Sequence, residues 1–548
     1  MDQPVASASI AAPQSTAAMD AFDRLSLLGW RGGVAGILGG LVFSFVLFGY
    51  ALIYWRNADM DFMVIYNALA LNDGKPQHFF DHTAYLTILS VKTWLRLLHS
   101  LGLLNAWSLS SMPSAGNIVA FDAAMTSAVR AGRLLALLIA SGSVLIFAGL
   151  VRAILRDWRV ALLATEAFAL SGGVAVHSRI LRSELIAALP VVFALMILMA
   201  VGRRASLARP LAIAAAAALC VLGLENKVQA ILLIGVLPFI ILPFGGAESA
   251  SAAFWRNTPL SWLAAAVAAI IAIAAALAAW PLIATGFDRA LLEAARFHPL
   301  LLGRYGVYQA ALLVLIFGCM IAYAGVWRVS AAETLASMSA VITGAAIALL
   351  ALNVEYNTSN VIAVINPLEK MLTFADATTT DAANGSALSA MMLLFDSIGG
   401  VFARYTFLLY SSARPTIFLI WLIIPGIVLA WRRGERQAVV QALLLMLAAT
   451  GIDALGVRRG LKTEYFIFTD PLIVLSGALL LDRLRDLRFA KWTYPIAVVL
   501  LLLHLTVGQA EPAKLAFKQT GPESVCEWSP DYLPLLPLPW CPTPPHKP

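Results

Sequence analysis

Charge is what this sequence lacks most. Of its 548 residues only 13% are Asp, Glu, Lys or Arg, about half the roughly 25% of a soluble domain. That deficit excludes a soluble globular chain and a nucleic-acid-binding one. The net charge of +7 comes mostly from short arginine clusters between apolar runs, which is a topological signal and not a binding surface. Cysteine is scarce too, with four in the chain, so neither a zinc-finger array nor a disulfide-dense scaffold is available. No fixed-period repeat is visible, and no polar stretch is long enough for a sizeable soluble domain.

What is present is apolar sequence in repeated runs. The mean hydropathy is +0.82, and runs of about 18–25 apolar residues are long enough to cross a bilayer core. Lipid offers no partner to a free backbone N–H or C=O, so such runs are helices. The expected fold class is an all-α polytopic membrane protein with about thirteen spans. These lie near 34–55, 132–151, 160–177, 184–201, 209–224, 228–245, 259–285, 307–327, 334–352, 413–431, 438–456, 464–481 and 493–510. Residues 1–33 read as a disordered, Ala- and Ser-rich N-terminus. The apolar run that follows is too long for a signal peptide and has no small-residue cleavage site.

With the N-terminus in the cytoplasm, the short loops on that side collect Arg152, Arg156 and Arg159; Arg203, Arg204 and Arg209; Arg432, Arg433 and Arg436; and Arg483, Arg485, Arg488 and Lys491. This is the positive-inside pattern. The long loops 56–131 and 353–412 and the Pro-rich tail 511–548 then lie outside. The membrane portions are then 34–352, which includes the outer loop 56–131, and 413–510. Cys526 and Cys541 in the outer tail are expected to pair in an oxidising compartment, whereas Cys220 and Cys319 sit in apolar spans as small core residues. Within loop 56–131, Leu86, Leu89, Thr93, Trp94 and Leu97 fall on one helical stripe and Lys92, Arg96 and His99 on another. This predicts an amphipathic helix resting on the membrane interface.

The same loop holds the chemistry. Asp59 follows the first span directly, Asp61 comes two residues later, and Asp81 stands beside His82 about twenty residues on. A carboxylate partly desolvated at the interface suits a general base. His78 and His82 have the i, i+4 spacing of a metal pair, but no further ligand set accompanies them and no protein metal site is expected. Glu166, inside an apolar span, reads as a neutral packing residue, although ionisable groups at that depth are functional candidates.

These residues resemble a known family. Asp59-Met-Asp61, Tyr66-Asn-Ala-Leu, and Gly74-Lys-Pro-Gln-His-Phe-Phe-Asp81-His82-Thr-Ala-Tyr85 are similar to the first outer loop of polyprenyl-phosphate-sugar-dependent glycosyltransferases of the C-type fold. That family includes the protein O-mannosyltransferases and the lipid A aminoarabinose transferase. Ser178-Arg179-Ile-Leu-Arg182-Ser-Glu184, Leu222-Gly-Leu-Glu-Asn-Lys227, and Arg458-Arg459-Gly-Leu-Lys462-Thr-Glu-Tyr465 resemble three later segments. His82 stands where many members carry Lys, the paired prolines are absent, and Asp61 is an extra carboxylate, so Asp59 and Asp61 both stand as base candidates.

The resemblance implies an enzyme that transfers a sugar from a polyprenyl-phosphate donor to a lipid, glycan or protein acceptor, with inversion, on the extracytoplasmic face. Asp59 or Asp61 would be the base and Asp81 an orienting carboxylate. Arg179, Arg182, Lys227, Arg458, Arg459 and Lys462 would bind the donor phosphate, with Tyr66, His82, Tyr85, Glu184 and Tyr465 as further site residues. No cofactor is implied beyond a divalent metal that travels with the donor phosphate. The Ala- and Arg-rich composition suits a bacterial inner membrane. A transporter or lipid flippase, or a glycan polymerase or ligase, is the alternative.

Overall fold

A backbone surrounded by lipid has to satisfy its own polar groups, and every regular element among the described residues is helical. The computed structural model describes residues 16–75, 84–202, 206–227, 229–244, 250–256, 258–285, 305–354, 387–406, 416–456, 463–484, 490–517 and 521–541. The first part of the chain forms α1 (Thr16–Phe45), α2 (Ala58–Asn72), α3 (Tyr85–Ser100), α4 (Ile118–Ile154), α5 (Trp158–Ala169), α6 (Gly172–His177), α7 (Glu184–Gly202), α8 (Arg209–Asn226) and α9 (Ala230–Ile241). The second part forms α10 (Pro259–Thr285), α11 (Tyr305–Val326), α12 (Ala331–Asn353), α13 (Ala387–Thr406), α14 (Ile417–Arg432), α15 (Arg436–Gly456), α16 (Asp470–Leu484), α17 (Ala490–Gly508) and α18 (Ala510–Phe517).

Among the described residues eight stretches are long and apolar enough to cross a membrane: Gly29–Tyr50, Ile118–Ile154, Glu184–Gly202, Arg209–Asn226, Pro259–Ala284, Ala331–Asn353, Arg436–Ala454 and Pro495–Phe517. Shorter apolar helices accompany them at Ala230–Phe244, Leu313–Val326 and Ile417–Arg432. The chain is therefore a multi-pass membrane protein. α7 lies at the centre of the bundle, packed by α4, α8 and α9, whereas α10 exposes Ile270, Leu277 and Trp280 on a lipid-compatible surface. Two glycines on neighbouring helices bring backbones together. A Cβ on Gly223 of α8 would run into the Ala187 carbonyl of α7, and one on Gly344 of α12 would run into the Ala214 carbonyl of α8. Close approach at small residues is how helices gain contact in lipid, where apolar burial alone drives little association.

The ends of the bundle differ in chemistry. At one end, here the arginine face, Asp482 of α16 accepts from the backbone N–H groups of Arg156 and Asp157. Arg483 meets Glu435 there at 3.8 Å. The arginine-bearing turns α4–α5 and α14–α15 and the end of α16 thus share one side. The opposite end, the loop face, carries α2, α3 and the C-terminal segment that packs on α2.

The structure departs from the expected spans at several places. The run expected at 160–177 is two helices, α5 and α6, separated at Leu170–Ser171 where Ser171 caps α6. α5, at 12 residues, is roughly 18 Å long and too short to span alone. The expected span 132–151 is the far part of the 37-residue α4, so the last stretch of the long first loop, 118–131, is a continuation of that helix. The run expected at 464–481 begins as a 3-10 turn, Thr463–Phe468, before α16. The second long loop contains the 20-residue helix α13. The amphipathic stripe of the first loop is a helix, α3.

Candidate functional site

The loop face is organised from the end of the first span. After a π-turn at Val46–Tyr50 and a 3-10 turn at Tyr54–Asn57, the chain enters α2. Residues 61–70 of α2 are all buried, as a helix with apolar residues on every side requires. Asp59 sits in the first turn of α2, and its side chain lies outside the described residues. Asp81, His82, Arg458, Arg459 and Lys462 also lie outside them.

Asp61 is fully buried. Its Oδ2 accepts from Arg133 Nε at 3.1 Å and Nη2 at 2.7 Å, and its Oδ1 accepts from the Leu181 N–H at 2.9 Å. Arg133 continues to the carbonyls of Gly49 and Leu52. Asp61 therefore ties α2 to α4 and to the turn before α7, and both its oxygens are occupied by protein donors. Arg133 belongs to the site's framework but stood in the sequence as one charge within an apolar run.

Arg179 is likewise buried, and its donors go to neutral groups: the carbonyl and hydroxyl of Ser44, the Ala175 carbonyl, and Gln509 Oε1 at 2.7 Å. It links α1, α6 and the turn between α17 and α18. Tyr66 accepts the Leu535 N–H on its hydroxyl at 3.3 Å. Tyr85, the first residue of α3, packs beside Leu71, Leu89 and Leu224.

The remaining candidates converge on Glu184, the buried first residue of α7, where the helix dipole favours a carboxylate. Lys227 Nζ lies 2.6 Å from Oε1, Arg182 Nε 3.4 Å from Oε2 and His177 Nε2 3.5 Å from Oε2. Arg182 Nη2 also meets Glu464 at 3.3 Å, and the Lys227 ammonium stands 5.4 Å from the centre of the Tyr465 ring. The Arg182 and Glu464 side chains are 12% and 14% exposed, against 2% and 0% for Lys227 and Glu184, so the first two form the rim of the cluster and the last two its floor. Asn226 fixes the geometry from below. Its amide donates to the Ser183 carbonyl at 2.6 Å and its Oδ1 accepts the Thr87 N–H at 2.9 Å, joining α8, α7 and α3. Asn226 lies within the Leu222–Lys227 segment, but nothing local in the sequence marks this bridging role. The turn carrying Glu464 and Tyr465 is held by Thr469, which donates to Asp453 Oδ1 at 2.9 Å while Tyr405 donates to Oδ2 at 2.5 Å.

Two titrating groups nearby have clear environments. Burial, reinforced by its bond to the Asp122 carboxylate, holds the Tyr54 phenol well above its usual range, so it acts as a neutral donor. Slight burial of Asp73 is outweighed by donation from the hydroxyl and N–H of Ser110, which brings its carboxyl below the usual range.

Below the cluster, α8 presents a stripe of Arg209, Ile213, Ala217, Cys220 and Leu224 to an apolar cavity of about 270 Å³ that α7, α9, α11 and α12 complete. From Arg209 to Leu224 the stripe runs roughly 22 Å along the helix axis. Lys227 follows Leu224 by three residues, at the loop face. The far end is closed by Arg209, which pairs with Glu333 at 3.2 Å and lies 5.6 Å from the centre of the Trp327 ring.

No family model matches the sequence, and no curated protein matches it. Among solved structures the chain is similar to the archaeal oligosaccharyltransferase AglB from Archaeoglobus fulgidus, in complex with an inhibitory peptide and a dolichol-phosphate. The TM-score is 0.45 at 11% identity, over 93% of this chain and 60% of that one. This chain thus spans about 60% of the length of that protein.

Proposed function

We propose that this chain is a membrane glycosyltransferase with a C-type module at 34–352. It moves a sugar from a polyprenyl-phosphate donor to a hydroxyl of a lipid, glycan or protein acceptor, with inversion. In this reading the loop face is the extracytoplasmic side of a bacterial inner membrane. The observation that carries it is the position of Lys227: a buried cluster of paired charges caps a helix whose next turns line an apolar cavity. A charged headgroup above and an isoprenoid chain below are the two halves of such a donor.

In the reaction the acceptor oxygen attacks the anomeric carbon, and the carbon–oxygen bond to phosphate breaks with its electron pair leaving on the polyprenyl phosphate. The hydroxyl proton passes to the Asp59 carboxylate. Asp61 supports α2 through Arg133, and Asp81 orients the acceptor. Within the described cluster Arg182 and Lys227 are balanced by Glu184 and Glu464. Net attraction for the phosphate then falls to Arg458, Arg459 and Lys462. Chain connectivity keeps Lys462 two residues from Glu464. Arg matches phosphate oxygens in pairs, and such charge stabilises the leaving group as it forms. Arg179, committed to Ser44 and Gln509, acts as a brace in this scheme.

The deciding experiment is transfer from a panel of radiolabelled polyprenyl-phosphate sugars by purified protein, beside Asp59→Asn. Product from wild type that collapses in Asp59→Asn supports the reading. No product from any donor, with substrate-dependent flux in proteoliposomes, replaces it with a transporter.

A further inference from the structure

The C-terminal segment is built into the loop face. Cys526 and Cys541 are disulfide-bonded across a sequence separation of 15. Within that interval Leu533, Leu536 and Leu538 are buried in the same apolar core as Phe62, Ile65 and Leu69 of α2. Trp528 meets Phe62 with ring centres 6.5 Å apart. Trp540, the residue before Cys541, contacts Tyr54 at 6.1 Å, Trp55 at 5.9 Å and Phe121 at 6.0 Å. Tyr54 and Trp55 open the 3-10 turn that runs directly into α2 and its first-turn Asp59.

We propose that Trp540 is a positioning residue for the transfer reaction: held by the adjoining disulfide, it sets the Tyr54–Asn57 turn and through it the backbone at Asp59. The proposal rests on the glycosyltransferase reading with Asp59 as base. Its physical case is that the turn and the residues leading into it have three anchors. Tyr54 is bonded to Asp122 at 2.8 Å, Arg133 holds the Leu52 carbonyl, and Trp540 packs on both rings of the turn. Of these three, Trp540 is the anchor that contacts Trp55, four residues before Asp59. Misplacing a reacting group by about 1 Å can cost on the order of a hundredfold in rate. Among the described residues the Trp540 indole N–H is buried without an acceptor, so the ring is held by shape and not by a hydrogen bond. A phenyl ring loses no bond there, and an alanine loses the anchor.

The test uses the full chain in nanodiscs as wild type, Trp540→Phe, Trp540→Ala and the double variant Cys526→Ser with Cys541→Ser. Wild type reduced with dithiothreitol covers the case in which a variant fails to fold. Hydrogen exchange at residues 52–62 and steady-state transfer are measured on each. The expected result is faster exchange at 52–62 with α7 and α8 unchanged, for Trp540→Ala, the double variant and the reduced protein. In the same samples kcat falls by about tenfold or more, donor KM stays within about twofold, and Trp540→Phe retains both properties. Unchanged exchange at 52–62 overturns the proposal, as does faster exchange with unchanged kcat. A wild type that transfers from no donor removes the glycosyltransferase reading and the positioning role together. Lost transfer with unchanged exchange removes the positioning role alone.

Discussion

Asp61 and Arg133 form a fully buried ion pair, 2.7 Å at its shortest, between α2 and α4. Seventy-two residues separate them in sequence, and the pair also takes in the Leu181 amide and two carbonyls from the end of the first span. Removing one partner strands the other charge. Asp61→Asn and Arg133→Leu are each expected to destabilise the chain by about 3–5 kcal/mol, while replacing both with apolar residues of matching volume restores much of the loss. Thermal unfolding in detergent with a double-mutant cycle measures this. Two single variants that melt with wild type would show the pair to be dispensable.

Asp59 is the other carboxylate of α2 and carries the opposite expectation. Asp59→Asn, which removes the charge but keeps the shape of the side chain, should leave unfolding within about 0.5 kcal/mol of wild type. Transfer should fall by about 10²–10⁴-fold, the usual contribution of a positioned base. Single-turnover kinetics alongside a melting curve separate the two effects. Retained turnover would move the base to Asp81.

Glu184 holds two cations in place, so its amide variant is predicted to act through them. Glu184→Gln leaves Lys227 short of its buried counter-charge and should weaken both folding and donor use. Lys227→Met paired with Glu184→Gln should recover stability but not transfer, because Arg182 then lacks the carboxylate that holds it at the rim. Measuring the melting midpoint and donor KM on all three variants tests this. Recovery of transfer in the double variant would show the pair to be structural alone.

The cavity predicts a dependence on lipid length. Ala217→Trp fills the middle of the slot along α8, at a strain of about 1–3 kcal/mol where the walls do not yield. Donors with long polyprenyl chains should show a raised KM in this variant, and a donor with a single short prenyl unit should be unaffected. Equal loss for both chain lengths would mean that the chain lies elsewhere.

How much of this was legible in the sequence depended on whether the signal was local. Apolar runs announce themselves because length and composition decide membrane crossing, and the α3 stripe did so because helical periodicity needs no partner. The Leu170–Ser171 break was written as Ser171-Gly172-Gly173, a turn signal masked by apolar residues on both sides. Arg133 could be seen, but the identity of its partner is set by how α2 docks on α4. Asn226 and Trp540 carry no mark of their roles, since one bridges three helices and the other acts from the far end of the chain. Leu533, Leu536 and Leu538 sit between prolines and read as a tail, although they complete the core over α2.

The bond between Arg179 and Gln509 spans 330 residues. At ribosomal rates of about 5–20 residues per second, that interval takes on the order of tens of seconds. Throughout it the guanidinium at the end of the first helices has Ser44 and Ala175 but lacks its last acceptor. A nascent chain stopped before Gln509 would lack that acceptor although α1 and α6, which supply the other partners, are already made. The contact between Arg179 and Gln509 is thus an order in time as well as in space, closed only after α17 has been made.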